Sequence, residues 1–139
     1  MLLLDTHVWI WSANGDTSRV GPRSRSLLLK AEAREAIRVS PVTIFELSAL
    51  HTSGRLRLAR PLEQWVGESL AAAGVRVAEL RSSVAMDAGS IPRTALADPL
   101  DRLLVSTARH LDAVFVTADP QILEYASETG NVRAHNASL

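Results

Sequence analysis

The stretch "LLLDTHVWIWSA", residues 2 to 13, decides how the chain is read. "LLL" is apolar but too brief for a helix, so it reads as a buried strand ending at Asp5. "HVWIWSA" follows at once, and its apolar residues suit a buried helix that stops near Asn14 and Gly15. A strand that passes directly into a helix is half of a βαβ unit, and the same alternation recurs along the chain.

After a basic loop, "RSRSLLLKAEAREA" (23–36) reads as an amphipathic helix and "IRVS" (37–40) as a second strand. Ser40 and Pro41 supply a cap and a first helical position for "SPVTIFELSALHTSG", with Gly54 as its stop. "RPLEQWVGESLAAAG" predicts a helix opened by Pro61 and closed by Gly74, and "VRVAEL" (75–80) an alternating strand. "SSVAMDAGSI" predicts a short helix, and Pro99 to about Leu111 a longer one. "AVFVT" (113–117) is the most strand-like run. Asp119 and Pro120 start a further helix, and "NVRA" near the end predicts a final edge strand. Apolar strands separated by helices predict one α/β domain over residues 1–139: an open parallel sheet of four or five strands with helices on both faces.

The composition agrees: 139 residues, 47% hydrophobic and 22% charged, are enough for one globular core. The absence of cysteine excludes a disulfide framework, a thiolate metal site and a cysteine nucleophile, and is compatible with a reducing cytoplasm. No apolar run approaches the ~18 residues of a membrane span, which predicts a soluble, non-exported protein. Net charge is zero but uneven. Residues 1–60 hold nine Lys and Arg against five acids, and residues 61–139 six against ten. A positive half can guide a polyanion and an acidic half can hold cations, although two unlike solvated faces account for the numbers equally well.

In open α/β sheets, ligands bind beyond the carboxyl ends of the strands. Asp5 ends the first strand and Asp119 lies two residues past "AVFVT", so both are expected at one rim. Glu46 follows the second strand among Ile44, Phe45, Leu47 and Leu50, which mark a mostly buried surface where an acid needs a reason. In "ALADPLDRLL" (95–104), Asp98 reads as an N-cap before Pro99, and Asp101 falls on the first helical turn. Local alternatives stand beside each: a polar strand end for Asp5, a cap for Asp119, an exposed helix position for Glu46, a dipole-favoured acid for Asp101. Four acids from four segments meeting at one rim would repel one another unless a cation sat among them. Oxygen ligands suit Mg²⁺, and such a site can act on a phosphodiester.

Other chemistries fit poorly. His7, His51, His110 and His135 lack metal-ligand spacing, and His7 reads as a packing or hydrogen-bonding residue. No glycine-rich nucleotide loop is present. Trp9, Trp11 and Trp65 read as core or interface residues and not as base-stacking platforms. A phospho-accepting receiver needs a middle-strand Asp and a lysine, and the chain has only Lys30. A haloacid-dehalogenase-like phosphatase needs a second acid that "DTH" lacks. A binding module without turnover is a further alternative.

The segments "LLLDTHVWIW", "VSPVTIFELSAL" with "SGRLRL", "IPRTALADPLDRLLVSTA" and "LDAVFVTADPQILEYA", in this order, resemble the PIN-domain family, specifically toxins of the VapC type. The resemblance implies a Rossmann-like sheet and a Mg²⁺- or Mn²⁺-dependent endoribonuclease, inhibited by a cognate antitoxin and usually a homodimer. It places the metal-binding and catalytic acids at Asp5, Glu46, Asp101 and Asp119. Thr6, Asp98 and Thr117 become accessory positions. Arg19, Arg23, Arg25 and Arg102 are candidate contacts to the RNA backbone. The chain departs from relatives carrying "DPFDR" at Leu96, where a His often stands, and at Leu100 in place of Phe.

Overall fold

The computed structural model describes residues 1–139. Five strands, β1 (Leu2–Leu4), β2 (Ile37–Val39), β3 (Val75–Val77), β4 (Val114–Thr117) and β5 (Ala134–Asn136), form one all-parallel sheet in the order β3-β2-β1-β4-β5. Seven helices connect them: α1 (Thr6–Ala13), α2 (Pro22–Ala33), α3 (Pro41–Thr52), α4 (Leu62–Leu70), α5 (Ser82–Ser90), α6 (Pro99–His110) and α7 (Pro120–Thr129). No helix is long and apolar enough to cross a membrane.

Period-2 alternation in β1 sends its leucines to two cores. Leu2 and Leu4 pack with Trp9, Leu28, Val39, Leu47 and Trp65 on one face, while Leu3 packs with Leu104, Phe115, Ile122 and Tyr125 on the other. Both faces of the sheet are therefore covered, as a parallel sheet requires.

Several boundaries move, for local reasons. The predicted strand at "NVRA" is displaced: Val132 is buried in the core, Arg133 donates to the Asp112 carbonyl and carboxylate, and pairing with β4 begins only at Ala134 opposite Phe115. β3 ends at Val77, three residues before the end of "VRVAEL". The helix expected from Pro61 runs from Leu62 to Leu70 with Pro61 as its cap, and α2 starts at Pro22 and stops at Ala33. Gly74, at φ +79°, turns the chain into β3 where a Cβ would stand 2.5 Å from the Glu32 carbonyl. Leu96, at the position where relatives carry a His, is a core residue at 3% exposure.

The order of strands reverses direction between β1 and β4, which places a topological switch point at the carboxyl ends of those two strands. The Asp5 amide donates to the Val116 carbonyl at 3.0 Å and locks the two strand ends together there.

Candidate active site

Beyond the switch point lies a cleft of about 300 Å³ lined by Asp5, His7, Trp11, Glu46, Asp98, Asp101, Ala118 and Asp119. All four acids expected at one rim are there, together with Asp98. Each arrives by a separate piece of local chemistry.

Asp5 ends β1 and caps α1, its Oδ1 accepting the Thr6 amide at 2.8 Å. Its Oδ2 accepts the Thr117 hydroxyl at 2.6 Å. That hydroxyl in turn accepts the Asp119 amide at 3.0 Å, so one fully buried threonine ties together the acids that end β1 and β4. Asp119 caps α7 through the Gln121 amide at 2.9 Å. Thr6, also fully buried, donates its hydroxyl to Glu46 and holds α3 against α1. Thr6 and Thr117 thus stand behind the carboxylates and aim them, as outer-shell partners aim ligands at many metal sites.

Asp101 differs from the others. It is only 7% exposed and no protein group donates to it. Burial first, and then the negative charges of Asp98, Asp5, Asp119 and Glu46, push its pKa up to about 7. Burial also raises Asp5, opposed by the Thr117 hydroxyl and the Thr6 amide and reinforced by Glu46. No Lys or Arg lines the cleft to neutralise these charges. The acids do not form a ready-made cage, since no three of them converge closely enough to ligate one ion.

A family model described as PIN domain matches residues 2–128. The chain belongs to the PIN domain family. Its sequence is 31% identical over 122 residues to Ribonuclease VapC22 of Mycobacterium tuberculosis, covering 87% of this chain and 88% of that protein. Solved structures of the same fold include VapBC2 from Rickettsia felis bound to a DNA fragment from their promoter, at 16% identity, 97% of each chain and a TM-score of 0.69. DNA-bound VapBC from Salmonella typhimurium is similar at 19% identity, 96% of each chain and a TM-score of 0.65.

Within this PIN domain some expected roles are redistributed. Arg102 does not line the cleft; it turns to the end of α5, where its guanidinium reaches the Ile91 carbonyl at 3.5 Å. Arg25 is tied to the Val20 carbonyl at 2.7 Å and to Thr17, which makes it a brace for the loop before α2. Phe45, expected on a buried surface, is 62% exposed, because only Leu47 of the apolar residues beside Glu46 points fully into the core. His7 is exposed and Trp11 half-buried on the wall of the cleft, their rings 5.9 Å apart. The signal for that pair was their i, i+4 spacing on a helix whose Val8, Trp9 and Ile10 all face inward.

Proposed function

We propose that this PIN domain is a divalent-metal-dependent endoribonuclease of the VapC kind, acting in the cytoplasm as a homodimer and restrained by a cognate antitoxin. The observation that carries the reading is the undercompensated charge at the switch point: five carboxylates line one cleft with no Lys or Arg among them and His7 as the one basic neighbour. An all-oxygen donor set suits a hard cation, and a cleft of about 300 Å³ leaves room for the water ligands that Mg²⁺ tends to keep. The elevated pKa of Asp101, raised first by burial and then by the four neighbouring carboxylates, agrees with a site short of positive charge. Family membership and the relationship to Ribonuclease VapC22 support RNA as substrate, and the VapBC neighbours support a protein partner.

Asp5, Glu46, Asp101 and Asp119 would hold Mg²⁺ or Mn²⁺ partly through the ion's own water ligands, as their separation requires, and the ion would supply charge neutralisation at a phosphodiester and acidify water. The chain's own contribution is positional. Thr117 and the Thr6 amide each fix one Asp5 oxygen, and the Thr6 hydroxyl fixes one oxygen of Glu46. Both threonines are fully buried, so these orientations are set before substrate arrives.

The test is cleavage of single-stranded RNA by the purified chain with Mn²⁺ or Mg²⁺, with and without EDTA, beside Asp101→Asn. Metal-dependent cleavage that disappears in Asp101→Asn, with a melting temperature raised by Mn²⁺ in the wild type alone, is expected. Full activity in Asp101→Asn removes the assignment. No cleavage across a broad set of transcripts, with tight binding of the antitoxin encoded beside it, favours a module that only binds.

A further inference from the structure

The three tryptophans part company in the fold. Trp9 and Trp65 are 2% and 5% exposed and meet edge to face at 5.1 Å, with Trp65 Nε1 donating to Asn14 Oδ1 at 3.1 Å. Trp11 is half-buried and borders two cavities at once. One is the carboxylate cleft. The other, of about 260 Å³, lies between the end of α1, the loop after it and α2, lined with Trp11 by Thr17, Val20, Arg25, Leu28 and Glu32. The Arg19 guanidinium stands 5.5 Å from the Trp11 ring centroid.

We propose that Trp11 is a stacking platform for an unpaired base of the RNA strand, so that the second cavity receives the base beside the phosphate at the carboxylates. The substrate class rests on the ribonuclease reading above. The position of the base does not, because it follows from the geometry. A single side chain forms a wall of both spaces, so a strand with a phosphate in one can place a neighbouring base in the other. Proteins that read single-stranded RNA do so on aromatic rings and arginine planes, and Trp11 with Arg19 supplies both. Four apolar side chains line the cavity beside the Ser12 and Thr17 hydroxyls, the Asp16 and Glu32 carboxylates and the Arg25 guanidinium, so the edge of a base meets both acceptors and a donor. At about 260 Å³ the space falls below the ~300–1,000 Å³ of drug-sized sites, which favours one flat ring over a packed peptide helix. Arg19 at the ring supplies a positive charge for the strand's phosphates beside the acidic cleft.

Binding, and not turnover, is the measurement that isolates this claim. Short fluorescein-labelled RNA homopolymers, one for each base, and an abasic ribose-phosphate oligomer are titrated, with Ca²⁺ in place of Mg²⁺, against protein carrying Trp11, Trp11→Phe or Trp11→Ala. Trp11→Ala is expected to weaken the best homopolymer about five- to a hundredfold. Trp11→Phe stays within about threefold, and the abasic oligomer binds all three alike. If Trp11→Ala does not fold, Trp11→Leu takes its place, and Arg19→Ala, an exposed change, gives a smaller loss in the same direction. Equal affinity of Trp11→Ala and its parent for every homopolymer overturns the proposal and leaves the cavity to another occupant, a protein segment included. The two readings separate cleanly. Base-dependent binding through Trp11 in a wild type that cleaves no RNA upholds this site against the ribonuclease reading. Cleavage with an unchanged cut-site pattern and kcat/KM in Trp11→Ala does the reverse.

Discussion

The tripeptide Ala-Asp-Pro occurs twice, at 97–99 and at 118–120, and the two copies build nearly identical helix starts. Asp98 sits at φ −73°, ψ 118° and Asp119 at φ −73°, ψ 117°; each accepts the amide two residues ahead at 2.9 Å. In both helices the third helical position points into the domain. In α7 that position is Ile122, fully buried in the core, and in α6 it is Asp101, 7% exposed and pushed to a pKa of about 7. Ile122 shows what an inward N3 position holds when only packing is asked of it. Asp101 has no such reason, and the proposed metal site is what accounts for a carboxylate buried there at a cost to the fold. The cap residues also exchange roles. Both carboxylates line the cleft, but only Asp119 is tied to Asp5, through its backbone amide and Thr117, so the proposed site gives Asp119 a metal-binding role and leaves Asp98 mainly the cap.

The largest test of this contrast is activity. Asp101→Asn and Asp119→Asn are each expected to lower RNA cleavage by at least ~10²-fold, the scale on which a preorganised electrostatic group contributes. Asp98→Asn, which keeps a capping side chain, is expected to lose less than about tenfold. Initial rates on one RNA at saturating Mn²⁺ check all three. An Asp98→Asn variant as impaired as Asp119→Asn would erase the distinction between the two caps.

Stability against pH supplies a smaller, independent effect. Because burial and like charges raise the Asp101 pKa to about 7, the folded chain holds a proton there that the unfolded chain has released above its ordinary value of 3.8. Across that window the folded state binds more protons, so its stability falls as pH rises and levels off above about 7. The raised Asp5 contributes with the same sign. Asp101→Asn is expected to flatten the slope and to stabilise the metal-free protein at about pH 8 by ~1–2 kcal/mol, less than the full shift implies because the cleft is open to water. Melting in EDTA across pH 5–8 measures it; a slope unchanged by the substitution assigns the pH dependence elsewhere.

How far these features are legible in the sequence depends on whether their cause is local. Helix starts at Ser40, Asp98 and Asp119 are written in three or four residues, and the structure has them where they are expected. Asp5 and Asp119 at the rim follow from strand ends plus one topological rule, whereas Glu46 and Asp101 reach it through the packing of α3 and α6, which the sequence does not fix. Features set by a distant partner are not legible. β5 starts at Ala134 because Phe115 pairs there, and "AHN" has nothing strand-like of its own. Phe45 and Leu47 flank Glu46 symmetrically in sequence, yet the packing of α3 buries one and exposes the other. Arg102 beside Asp101 reads as an RNA contact until the end of α5 is seen to capture it. Trp11 looks like Trp9 until the helix is wound; then Trp9 is buried in the core and Trp11 packs at its margin, half-buried beside the cleft.

The smallest expected effect sharpens the comparison most. Asp98→Ala and Asp119→Ala each remove one cap and one negative charge that raises Asp101, so loss of the cap, ~1 kcal/mol, is partly offset in both. The two variants should therefore melt within a few tenths of a kcal/mol of each other, since Thr117 keeps its bond to the Asp119 backbone amide whatever the side chain at 119. Near-equal stability with activities about a hundredfold apart would show that the same tripeptide does one structural task in both places and a second task in only one. A much larger destabilisation by Asp119→Ala would mean that its carboxylate holds the rim together, and its effect on cleavage would then follow from the fold and not from the chemistry.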